Sequence, residues 1–215
     1  MNTKINDIEL DLPNDEVARL IQKYGNKNKF KIPKNKFETF EMFGIEWELL
    51  VTANEEWGGV GNFLITPRQP VGENVRYHNE NKFVDYLQAE IKSSVDKWFD
   101  KLPSNLKKAV LRTDVKNRQF ALPHDATQWN CDTVKAFIMS ADEYRYYYRE
   151  LNVYNAFKKW FWLRSAGDSA DGTVSLVDSG GLWNASSASL TNTHNGFRPA
   201  IWVNLNSEIF KSGGE

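Results

Sequence analysis

From Glu38 the apolar positions fall with the period of a strand: Phe40, Phe43, Ile45, Trp47, Leu49 and Val51, with Glu46, Glu48 and Leu50 between them after Gly44. A second run, Phe63-Leu64-Ile65-Thr66, stops at Pro67, and the glycine-rich stretch from Glu55 to Gly61 between the two runs predicts a hairpin. Those glycines do not form a phosphate-binding loop, because neither a Lys-Ser/Thr pair nor a helix follows them. The period then lengthens. Phe83, Leu87, Ile91, Val95 and Trp98 lie three or four residues apart, which predicts an amphipathic helix whose stripe is core. After Leu102-Pro103 a short helix is expected through Leu106, Ala109, Val110 and Leu111, with Ser104 near its start. Residues 113–135 read as loop. Val134, Phe137 and Met139 predict a short strand that runs into Ser140-Ala141-Asp142-Glu143, a capping box opening a helix with Tyr144, Tyr147, Tyr148 and Leu151. Thr173 to Asp178 alternates like a strand, Ser179-Gly180-Gly181 turns, and Leu182 to Leu190 leads back. Strands and helices in this order predict the α+β class.

The two ends differ from this middle. Val17, Leu20, Ile21 and Tyr24, after Asn14 as a cap and before Gly25 as a stop, predict a short docking helix. Lys27, Lys29, Lys31, Lys34 and Lys36 follow, interleaved with Phe30, Ile32 and Phe37, and read as a solvated linker or a protected edge rather than an anion site. Residues 1–36 are therefore expected to be an attachment or oligomerisation arm, residues 37–206 the main domain, and 207–215 a flexible tail.

Composition narrows the class. The chain has 215 residues, 41% of them hydrophobic, enough for one substantial core. Eight Trp and thirteen Phe in a chain of mean hydropathy -0.57 concentrate the apolar content in bulky rings that peg long polar segments. No run of about 18 apolar residues exists to span a bilayer. The start, Met1 to Asp7, lacks the basic head and apolar stretch of a secretion signal, so a cytoplasmic or virion location is expected. The formal charge of -1 gives no global attraction to nucleic acid or membrane. Cys131 is the single cysteine, which forbids an internal disulfide and a Cys-based zinc cluster.

The closing stretch carries the strongest contrast. Trp160-Phe161-Trp162-Leu163-Arg164-Ser165 and Asn195-Gly196-Phe197-Arg198-Pro199-Ala200-Ile201-Trp202 enclose a segment of Ser, Thr, Asn, Gly and Asp. Trp160, Trp162, Phe197 and Trp202 supply core-sized rings. Arg164 and Arg198 offer planar forks that can tie loop carbonyls or carboxylates together, so Trp162, Arg164, Arg198 and Trp202 are expected to be structural.

These strings resemble a domain-of-unknown-function family of Gram-positive bacteria and their phages. Its members read Phe-Gly-x-x-x-Trp near the start and close with Trp-Leu-Arg-Ser and Gly-x-Arg-Pro-Ala-x-Trp. The corresponding residues here are Phe43-Gly44-Ile45-Glu46-Trp47, with two residues rather than three between Gly and Trp, Phe137 to Glu143, Phe161 to Gly167 and Gly196 to Val203, and the resemblance covers about residues 37–206. It implies a C-type-lectin-like fold with mixed or antiparallel sheets, two or three helices and long loops. It implies no activity. Ala166 stands where the family commonly has Pro, which loosens that turn.

Function is expected in the polar segment over 168–195. Asp168, Asp171, Ser179, Trp183, Asn184, Ser186, Ser187, Ser189, Thr191, Thr193 and His194 combine small hydroxyls, amides and carboxylates with one large ring, the side chains of a surface that reads sugars or polar epitopes. A solvent-facing hairpin without a ligand is the plainer alternative. Asp168, Asp171 and Asp178 could suit calcium, but their spacing matches no EF-hand, and neither metal nor cofactor is expected. His124 and Cys131 can be drawn as a base and nucleophile, although a lone cysteine is usually a small buried hydrophobe. The expectation is a non-enzymatic, phage- or prophage-encoded binding module. It would recognise a host-cell glycan or protein, join other virion proteins through its N-terminal arm, form homo-oligomers and bind no specific nucleic acid. The alternative is a cytoplasmic interaction protein that binds or inhibits a host factor.

Overall fold

The computed structural model describes residues 30, 32–53, 60–82, 84–115, 133–148, 157–166 and 173–210, with the side chains of 166 and 184–187 excepted. It also describes the backbone of 3–5, 8–10 and 122–123. The helix expected over 14–24 and the lysines at 27, 29 and 31 lie outside these residues. In chain order the strands are β1 (Thr3–Ile5), β2 (Ile8–Leu10), β3 (Thr39–Met42), β4 (Ile45–Val51), β5 (Asn62–Pro67), β6 (Thr113–Asp114), β7 (Leu122–Pro123), β8 (Thr133–Val134), β9 (Phe137–Ile138), β10 (Phe161–Ala166), β11 (Thr173–Val177), β12 (Trp183–Ser189), β13 (Gly196–Phe197) and β14 (Pro199–Asn204). The helices are α1 (Glu90–Asp100), α2 (Ser104–Ala109) and α3 (Ala141–Tyr148). The class is α+β.

Two sheets carry the fold. The larger has the order β3-β4-β5-β14-β9 and is antiparallel throughout. β5 and β14 lie inside it and are buried on both faces, so they read as continuous apolar runs rather than as alternation. The smaller has the order β12-β11-β10-β13, with β10 and β13 parallel and the other pairs antiparallel. Among the described residues, β1 and β2 form a further hairpin and β7-β6-β8 a three-stranded patch.

Several elements differ from expectation for identifiable reasons. The run from Phe40 to Val51 is two strands, because Phe43 and Gly44 both take positive φ (55° and 72°) and close a tight two-residue turn between β3 and β4. A left-handed phenylalanine is costly, and its ring is held against Phe30 with centroids 4.6 Å apart. The long helix begins at Glu90 rather than near Phe83. Asp85 caps a 3-10 turn over Tyr86–Gln88, and Ala89 is extended, so Leu87 belongs to the turn. The second helix ends at Ala109; Val110 bridges Val203, and the Leu111 amide donates to Trp202 O, which draws both into the sheet. Residues 113–135 include the short strands β6, β7 and β8 instead of loop alone. Trp160 is 46% exposed and is not a core ring, whereas Trp162 and Trp202 are fully buried. Residues 207–210 are not a free tail, because Ile209 packs on the core and Phe210 meets Phe63 edge-on at 5.3 Å.

The capping box at Ser140 forms as the sequence predicts. The Glu143 amide donates to Ser140 Oγ (3.0 Å) and the Ser140 amide to Glu143 Oε2 (2.7 Å). Core packing is aromatic, and two of its indoles are paired with backbone carbonyls. Trp47 donates its indole N–H to Met42 O at 3.0 Å and meets Trp98 of α1 edge-on, while Trp162 donates to Val75 O at 2.7 Å.

The glycine of the closing motif has a steric cause. A Cβ on Gly196 would stand 2.9 Å from the Val71 carbonyl oxygen and 2.9 Å from Lys159 Cδ, where the 71–75 segment crosses β13. The lysine tip can move aside, but the backbone oxygen cannot. Gly196→Ala is therefore expected to cost about 1–3 kcal/mol in chemical denaturation. A variant as stable as the parent would contradict this crossing.

Candidate functional site

Two buried arginines divide the closing motif into structure and surface. Arg198 is the one residue between β13, in the smaller sheet, and β14, in the larger. Its guanidinium is fully buried. Nε donates to Pro67 O at 2.9 Å, Nη1 to the Tyr148 hydroxyl at 2.7 Å and Nη2 to Glu48 Oε2 at 2.5 Å. The same carboxylate oxygen accepts from Tyr148, and the other oxygen accepts from Arg68 at 2.8 Å. Phe157, Tyr148 and Phe161 lie 4.9, 5.6 and 5.7 Å from the guanidinium carbon and supply cation–π contacts. Burial lowers the Arg198 pKa, but the neighbouring Tyr148 and Glu48 outweigh it, so the net direction is upward. Burial likewise raises the Tyr148 hydroxyl well above its ordinary range, with Arg198 opposing and Glu48 reinforcing.

Arg164, on β10, forms the second node. It pairs with Glu143 of α3, donates to Ile138 O at 2.9 Å and lies over Phe137 at 5.7 Å. Glu143 thus serves the capping box and the arginine together. Both arginine forks are engaged inside the protein.

These nodes brace α3 at each end: Glu143 holds its first turn, and Tyr148 its last. Between them Tyr144 donates to Gly181 O at 2.7 Å, docking the helix on the turn that joins β11 to β12. That turn is organised by Asp178, whose Oδ1 accepts from the Gly180 and Leu182 amides at 2.8 and 2.9 Å. The arrangement leaves Trp183 36% exposed at the start of β12, with the guanidinium carbon of exposed Arg145 5.0 Å from its ring centroid. Leu182 and Tyr146, next to them in sequence, are about half exposed.

The residues expected to bind ligand do not form one cluster. Ser179 and Trp183 belong to the end near α3. Ser189 and Thr191 lie at the other end of β12, roughly 20 Å away along a strand of this length. There Ser189 Oγ donates to Asn81 Oδ1 at 2.6 Å and lies 2.9 Å from Thr191 Oγ1. Thr193 and His194 are exposed beyond it, and the His194 amide donates to Asn192 Oδ1 at 2.8 Å. Asp168, Asp171, His124, Cys131 and the side chains of Asn184, Ser186 and Ser187 lie outside the described residues. Among the described residues no group of three or more His, Cys, Asp or Glu side chains is placed to hold a metal ion. Within the same residues no helix is long and apolar enough to cross a membrane.

No periodic or compositional signal in the sequence marks Arg145 or Asn81. The capping box locates the helix that carries Arg145, but the face this helix turns to β12 depends on Tyr144 and Gly181, which are far apart in sequence.

Residues 60–205 match the family described as Domain of unknown function (DUF6273). The chain belongs to that family. No curated protein and no solved structure matches the chain. The DUF6273 match takes in both arginines, α3 and the β11–β12 hairpin, but begins after Glu48. The Arg198 node therefore joins a residue inside the DUF6273 match to one before it.

Removing the Glu48 charge leaves a buried guanidinium uncompensated, so Glu48→Gln is expected to lower stability by about 3–5 kcal/mol in urea denaturation. A loss under about 1 kcal/mol would show that the pair is dispensable. Tyr77 and Tyr144 are also raised above the ordinary 10.0, chiefly by burial. A raised folded pKa leaves stability intact below the unfolded value and erodes it as the pH climbs from there towards the folded value. Stability is thus expected to be level with respect to these tyrosines up to about pH 10 and to fall above it. In an alkaline titration the tyrosinate absorbance of the buried tyrosines should appear together with unfolding; full ionisation in a folded protein would contradict the burial.

Proposed function

We propose that this chain is a non-enzymatic binding module with a C-type-lectin-like domain, carried on a phage or prophage particle. In this reading the end of the β11–β12 hairpin holds a host-cell glycan or protein. The observation that carries it is the exposed indole of Trp183, while the other rings of the closing motif, apart from Trp160, are buried. A large ring left at the surface on a braced support can act as an anchor for a ligand, because little ordering entropy remains to be lost on binding. Two further features support the lectin-like reading. The last strand returns to the interior of the main sheet, and the smaller sheet bears the polar segment.

The chemistry suits binding more than turnover. Arg164 and Arg198 are consumed by internal partners. At the hairpin end, Asp178 is engaged by two backbone amides, so that carboxylate already has a structural role. The N-terminal segment before residue 37 is the part proposed to join the module to other particle proteins or to further copies of itself.

The test is capture from host lysate and from cell-wall fractions by the parent protein and by Trp183→Ala. Binding is expected to drop about tenfold or more on removal of the ring, while the melting transition and circular dichroism stay within a few degrees and a few per cent of the parent. Loss of the fold would make Trp183 a core residue and displace the proposed surface. Unchanged capture would sink its role as anchor.

A further inference from the structure

We propose that Arg145 and Trp183 together form a recognition site for an anionic polymer of sugar or polyol units, with a carboxylate or phosphodiester on the guanidinium and the ligand's C–H surface against the indole. This deepens the proposed binding function and rests on it.

Three observations support the assignment. Arg145 is exposed and its guanidinium lies over the Trp183 ring at 5.0 Å. Stacking engages the face of a guanidinium, whereas its N–H donors lie in its plane. Contact with the indole therefore leaves the fork available to an anion. Secondly, no ion pair or hydrogen bond occupies that fork among the described residues. Of the acidic groups on the neighbouring framework, Glu143 is buried on Arg164, Asp178 binds the amides of its own turn, and exposed Asp142, one turn earlier on α3, makes no ion pair with Arg145. Arg145 thus differs from Arg164 and Arg198, which are held by internal acceptors.

The third observation is preorganisation. α3 is fixed by Glu143 at its first turn, by Tyr148 at its last and by the Tyr144 bond to Gly181 between them. Arg145 projects from the middle of this braced helix, and Trp183 begins the strand that follows the docked turn. The distance between cation and ring is consequently set by the fold rather than by two independent loops. Leu182 and Tyr146, the sequence neighbours of Trp183 and Arg145, are also exposed. A neutral sugar could use the indole alone. An acidic one uses both groups, and its planar carboxylate or its phosphodiester matches the donor geometry of arginine better than that of lysine.

The experiment measures binding of the full chain to three soluble polymers of similar length: polygalacturonate, poly(glycerol phosphate) and neutral dextran. One of the anionic polymers, or both, is expected to bind about tenfold more tightly than dextran at low salt, with the difference shrinking as salt rises. The first two arms distinguish carboxylate from phosphodiester as the source of charge. Arg145→Gln should reduce anionic binding to the dextran level, and Arg145→Lys should restore only part of it, since the charge returns without the fork. Trp183→Ala should weaken every polymer that binds. Both arginine variants are surface changes whose melting curves should overlay the parent.

Equal binding of all three polymers, or anionic binding indifferent to Arg145→Gln, would overturn the acidic assignment. If Trp183→Ala still abolished cell-wall capture in that case, the broader binding function would stand. A protein that bound none of the polymers would also overturn the assignment. Capture of a host protein through Trp183 would then keep the module reading and exclude this ligand class.

Discussion

A guanidinium taken out of water must be met on every side, and the junction between the two sheets is built around that requirement. Arg198 lies at the single position where the chain leaves the smaller sheet and enters the larger. A backbone carbonyl, a phenol and a carboxylate meet its donors, and three aromatic rings surround its faces. The cost of desolvating the charge makes the partner set obligatory. Glu48 of β4, Pro67 at the end of β5 and Tyr148 at the end of α3 are thereby tied to one atom group. Sheet, sheet and helix meet there.

The second arginine extends the same logic to the other end of α3. Glu143 serves as a capping carboxylate and as the counterion of Arg164, so helix initiation and strand placement depend on one side chain. An eight-residue helix is marginal by itself. Held at both ends, it becomes a rigid bar against which the β11–β12 turn docks. The polar surface owes its shape to these buried ions, and the exposed side chains at its α3 end include Trp183, Arg145, Leu182 and Tyr146.

Local signals in the sequence are legible where one element decides them. Ser140 and Glu143 announce a cap that forms, Ser179-Gly180-Gly181 announces a turn that forms, and the α+β class follows from the alternating periods. Signals fail where distant residues compete. Phe43 reads as one more apolar position in a strand, but the turn it occupies is set by pairing between β3 and β4. Trp160 has the same composition signal as Trp162, yet only the latter has the Val75 carbonyl and the Tyr77 ring to receive it. The expected site is a contiguous stretch of sequence, whereas a seven-residue strand carries its two ends apart. Arg145 joins one end through a helix some forty residues earlier in the chain. Such juxtaposition has no periodic or compositional trace.

The position of β14 has a consequence for how the molecule comes to exist. Its residues, Pro199–Asn204, pair with β5 on one side and β9 on the other, so the last of the described strands in chain order is an interior strand of the main sheet. During synthesis the earlier strands β3, β4 and β5 can pair, but the edge of β5 stays open until nearly the whole described domain has been made. An open apolar edge of that kind is a template for pairing with another nascent chain. Folding is consequently dominated by long-range contacts and completes late, and the arrival of Arg198 at Glu48 coincides with closure of that edge.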